Sequence, residues 1–118
     1  MSVQINMIST RSNTNADFWW NTTDPTVVSI RNDLAALFQE NSVPSVLTVS
    51  SDGLTCTMSY TVEDQLQWQN IVNESITRVP NIASNRKGYH TTNNHNFKLE
   101  SRSPEGDLLH EKQIVTAS

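Results

Sequence analysis

The 118 residues carry a formal net charge of −4 and a pI near 5.2, which argues against a domain whose main work is to hold duplex nucleic acid by its phosphates. Only 17% of the residues are charged and 36% are hydrophobic, while Ser, Thr and Asn supply about a third of the chain, well above ordinary usage. This length holds one core of two packed layers, so a single domain spanning residues 1–118 is expected.

The lone cysteine, Cys56, allows no intrachain disulfide, so the fold rests on packing and a reducing compartment is the simpler setting. Met1 to Ile8 alternates polar and apolar residues where a signal peptide would show a basic start and an apolar run, so secretion by a signal peptide is not expected. No run of 18 apolar residues offers a membrane span. Without a secretory signal, Asn21-Thr22-Thr23 and Asn73-Glu74-Ser75 are chance matches to the glycosylation pattern.

Val3, Ile5 and Met7 alternate with polar neighbours at the period of a half-buried strand. A Ser/Thr/Asn-rich stretch, Ser9 to Asp17, then leads into Phe18-Trp19-Trp20. Asp24 caps a first helix with Pro25 in its first position, and Val27, Ile30, Leu34, Leu37 and Phe38 follow at helical spacing to an end near Asn41. Asp52-Gly53 between two strand-like runs predicts a hairpin with a two-residue turn. Its register pairs Val49 with Cys56, Leu47 with Met58 and Ser45 with Tyr60. Leu47, Val49, Leu54, Cys56, Met58 and Tyr60 then share one face, and Val46, Thr48, Ser50, Thr55, Thr57 and Ser59 the other. A sheet so divided packs helices on a single side.

A second helix is expected from a Thr61 cap with Asp64 three residues on. Its inward stripe is Trp68, Ile71, Val72, Ser75, Ile76 and Val79, and Pro80 ends it. Asn81 to Asn96 is polar and turn-rich and is expected to be a long surface loop. Phe97 and Leu99 mark a strand, Ser103-Pro104-Glu105-Gly106 a turn, and Asp107 to about Val115 the last strand of an exposed hairpin. The expected fold is therefore α+β, a ferredoxin-like βαββαβ two-layer sandwich with an additional C-terminal strand.

Candidate chemistry is sparse. His90, His95 and His110 fit no metal-ligand spacing and are expected as solvated loop residues, so no metal or cofactor is expected. Cys56 falls on the core face, where a thiol packs and stays inert. Arg78, Arg86 and Lys87 form a small basic cluster that a helix C-terminus favours by its dipole alone. The carboxylates sit at helix starts or in the last hairpin, and no catalytic set can be picked out. Three adjacent aromatics cannot all face one core, so Trp19 or Trp20 is expected to be partly exposed as an interface anchor beside the hydroxyl row Thr48, Thr55 and Thr57. The alternative is a pocket built from Cys56, Tyr60, Trp68 and His90.

Ser9-Thr10-Arg11-Ser12-Asn13-Thr14 leading to Phe18-Trp19 resembles the start of small virion-associated proteins of tailed phages of marine cyanobacteria. The resemblance implies a structural or accessory, non-enzymatic role through protein contacts, in a homo-oligomer or with virion neighbours, located in the virion or the host cytoplasm. It carries over no functional residue. The competing expectation is a ferredoxin-like small-ligand binder or enzyme of the dimeric α/β-barrel kind.

Overall fold

In a computed structural model, which describes residues 2–118, the alternation of Val3, Ile5 and Met7 becomes β1 (Val3–Thr10), with these side chains buried. Helix α1 (Pro25–Glu40) starts where expected, the Asp24 carboxylate accepting from the N–H groups of Thr26 and Val27. Strands β2 (Ser45–Val49) and β3 (Thr55–Val62) pair in the expected register, Val49 with Cys56, Leu47 with Met58 and Ser45 with Tyr60. Their turn is longer than the two residues expected. Ser50 pairs with Thr55, the Asp52 carboxylate accepts from the Ser50 hydroxyl and the Leu54 N–H, and Gly53 takes the left-handed conformation at φ 74°.

Helix α2 (Gln65–Arg78) begins later than a Thr61 cap would place it. Thr61 stays in the sheet because β1 reaches far enough to pair Gln4 with it, and Asp64 becomes the cap, accepting from the Gln67 N–H at 2.8 Å. Gln67 in turn accepts from the Glu63 N–H. Trp68, Ile71 and the following Val79 are buried, but Ile76 is 68% exposed, because it stands over the open mouth of a cleft instead of over the sheet.

The expected surface loop is instead largely helix α3 (Ile82–Thr92). Its covered side carries Ile82, Arg86, Tyr89 and His90, one face at helical spacing in which Ile82 is the single aliphatic residue. Strands β4 (Asn96–Arg102) and β5 (Leu108–Val115) follow, joined by the expected turn, with the Gly106 N–H donating to the Ser103 carbonyl.

The five strands form one sheet, order β2-β3-β1-β4-β5, every neighbouring pair antiparallel. The protein is α+β, its helices gathered on one side of that sheet. The last hairpin is therefore only half exposed, since β4 lies between β1 and β5 with Phe97, Glu100 and Ser101 buried. Ile5, Leu37, Ile71 and Phe97 are at most 1% exposed, and burial of each contributes about 1.5–3 kcal/mol.

All three members of Phe18-Trp19-Trp20 are buried, so neither tryptophan is an exposed anchor. The segment turns, the Phe18 carbonyl accepting from the N–H groups of Asn21 and Thr22, so the three side chains leave in different directions. Phe18 lies under the Arg11 guanidinium at 4.1 Å. Trp19 donates its Nε1–H to Asn85 of α3 at 2.9 Å, and Trp20 meets Trp19 edge-on. Arg31 of α1 ties the turn down by donating to the carbonyls of Trp19 and Thr22.

Candidate functional site

The two sheet edges are built differently. Along β5, His110, Glu111 and Lys112 project from a strand whose pairing with β4 is broken by two register shifts, and charges and bulges are the usual protection of an edge. Strand β2, Ser-Val-Leu-Thr-Val, has no charge, no proline and no bulge, and all five residues are exposed. Val46 is 63% exposed, Leu47 40% and Val49 44%. The hydrogen bonds from Ser50 N–H to Thr55 and from Thr61 N–H to Pro44 set the alternation of the ladder. Val46 and Thr48 therefore turn their backbone groups to β3, while Ser45, Leu47 and Val49 direct theirs outward.

Thr48, Thr55 and Thr57 share the helix-free face, with Thr48 opposite Thr57 and Thr57 opposite Ile8 of β1. Beside this row a polar chain crosses three strands. Ser59 donates to Asn6 at 2.8 Å, Asn6 donates to Glu100 at 3.0 Å, and Arg102 donates to both oxygens of Glu100. The Arg102 hydrogen bonds hold the Glu100 carboxyl below the usual carboxylate range. This face is thus ordered and hydroxyl-rich, and it runs without a step into the β2 edge.

On the helix side, a groove under α1 is lined by Trp20, Leu34, Phe38, Met58 and Tyr60, and a second cleft of about 480 Å³ opens between α2, α3 and the β4–β5 end of the sheet. Ile5, Met7, Ile71, Val72, Leu99 and Ile114 give the second cleft apolar walls. Arg86 lines it from α3, half-buried, its Nη1 3.6 Å from the Met7 sulfur and its guanidinium 5.2 Å from the Phe97 ring. Desolvation pushes the Arg86 pKa down to about 10.

Of the residues expected to share a pocket, Tyr60 and Trp68 are neighbours with ring centroids 6.1 Å apart, but they open on different cavities. Tyr60 is stacked on Phe38 at 4.0 Å and lines the groove under α1, whereas Trp68 lines the second cleft. Cys56 and His90 are fully buried and line neither. Burial pushes the Cys56 thiol up to about 11. His90 and His95 are buried too, so of the three histidines only His110 is a solvated residue. The basic cluster also divides: Arg78 pairs with Glu40 and Glu74 on the surface, Lys87 is exposed, and Arg86 turns inward. The unguarded β2 edge was legible as an uncharged run, and Arg86 could have been found by its spacing from Ile82 and His90.

Among the described residues no helix is long and apolar enough to cross a membrane, and no three His, Cys, Asp or Glu side chains gather as a metal site. Set against protein-family models, curated proteins and solved structures, the chain matches none of them.

Proposed function

We propose that this chain is a non-enzymatic assembly protein that joins a neighbouring copy of itself through the β2 edge. The observation that carries the reading is that β2 presents outward backbone groups from Ser45, Leu47 and Val49 beside exposed Val46, Leu47 and Val49, with none of the devices that keep an edge from pairing. An antiparallel β2–β2 contact about a two-fold axis through Leu47 sets Leu47 against its symmetry mate and Ser45 against Val49 of the other copy, and an uncharged strand brings no like charges together there. The helix-free face with Thr48, Thr55 and Thr57 continues that surface. A setting in a phage particle, as a structural or accessory component, rests on the resemblance of the Ser9 to Trp19 segment. A ferredoxin-like core of β1 to β4 with α1 and α2 is supported by β3 lying antiparallel between β1 and β2; α3 and β5 stand outside that arrangement.

The test is solution mass by light scattering across concentration, for the chain and for Leu47→Lys, which sets two ammonium groups near the axis. The expected result is a dimer or larger assembly that Leu47→Lys weakens about tenfold or more. A monomer at all concentrations, or an assembly indifferent to Leu47→Lys, refutes the reading.

A further inference from the structure

The cleft between α2, α3 and the β4–β5 end lies away from β2, and its chemistry is separate from the assembly reading. Acidic residues outnumber Lys and Arg by 12 to 8 in the chain, yet the lining contains no carboxylate and includes Arg86, Lys112 and His110. The described ion pairs use Arg78, Lys98 and Arg102, and none reaches Arg86. A guanidinium drawn into apolar surroundings without a carboxylate is costly, because ring faces and a thioether replace little of the water it gives up. An anion entering the cleft supplies the missing partner through charge-assisted, bidentate hydrogen bonds. The apolar walls decide the remainder of such a molecule, and one inward guanidinium matches one carboxylate better than a phosphate dianion, which calls for more donors.

We infer that this cleft binds a carboxylate carried on an apolar chain, the chain lying along Ile71, Val72, Leu99 and Ile114, the carboxylate paired with Arg86, and Lys112 at the mouth drawing the anion in. Pockets of this volume and lining are those that small organic ligands occupy.

Calorimetric titration of the full chain with decanoate and with decanol tests this. Decanoate is expected to bind saturably, one per chain, and decanol about tenfold more weakly or worse, because the alcohol leaves Arg86 without its anion. Arg86→Met is expected to remove the preference for decanoate while leaving decanol binding in place. Should that variant fail to fold, the comparison of the two ligands on the unaltered chain still decides the anion's role, and Ser75→Trp, which fills the cleft from α2, decides the location by abolishing binding of both. Absence of decanoate binding, equal affinity for decanol, or binding undiminished in Ser75→Trp overturns the proposal.

Discussion

His90 should make the protein sensitive to mild acid. Its Nδ1 lies 2.7 Å from the Arg86 carbonyl and its Nε2 2.7 Å from the Ser9 hydroxyl. A carbonyl only accepts, so Nδ1 carries the proton and Nε2 accepts from Ser9. The neutral ring lies against Phe97 with centroids 4.4 Å apart and no exposure to solvent. Burial, aided by the nearby His95 and Arg86, pushes its pKa down to about 4 from the ordinary 6.5. Between these values the unfolded chain binds a proton that the folded chain refuses, so stability is fully present above about pH 6.5 and is lost as the pH falls. At about 1.4 kcal/mol per pH unit the loss reaches about 3 kcal/mol by pH 4, a large share of an ordinary domain's stability. Urea unfolding at intervals from neutral pH down to about pH 4, on the chain and on His90→Gln, reads this directly. At neutral pH the variant should be less stable by about 1–3 kcal/mol, since the Ser9 hydroxyl and the ring contact are disturbed. That gap should close as the pH falls, because His95 and the carboxylates titrate in both chains. A gap that stays constant to pH 4 refutes the reasoning.

Two further outcomes follow from burial. Trp19→Ala removes a side chain with no solvent exposure and its hydrogen bond to Asn85, and should lower stability by about 3–5 kcal/mol in thermal or urea unfolding; a change below about 1 kcal/mol would show that the residue is not packed as described. Cys56, buried and with its thiol pushed up to about 11, should react with iodoacetamide about a hundredfold more slowly in the native chain than in urea, and equal rates would contradict its placement.

What could be read along the chain was whatever neighbours in sequence decide. The alternation in β1, the Asp24-Pro25 helix start and the β2–β3 register follow from local spacing and turn chemistry, so they stand in the structure where the residues put them. Helix α3 escaped because its covered face is Arg86, Tyr89 and His90 beside a single large aliphatic, Ile82, and an apolar count does not register such a face. The burial of Trp19 and Trp20 escaped because it depends on Asn85 of α3 and Arg31 of α1, residues distant in sequence that fix the turn. The composition of β2 was legible, but that it forms one edge of the sheet while β4 is shielded by β5 is a matter of strand order, which only the closing of long loops around β1 decides. The same holds for Arg86. Its charge is written in the sequence, and the desolvation that gives that charge a use arises only when three helices close over the sheet and leave a cleft at its β5 end.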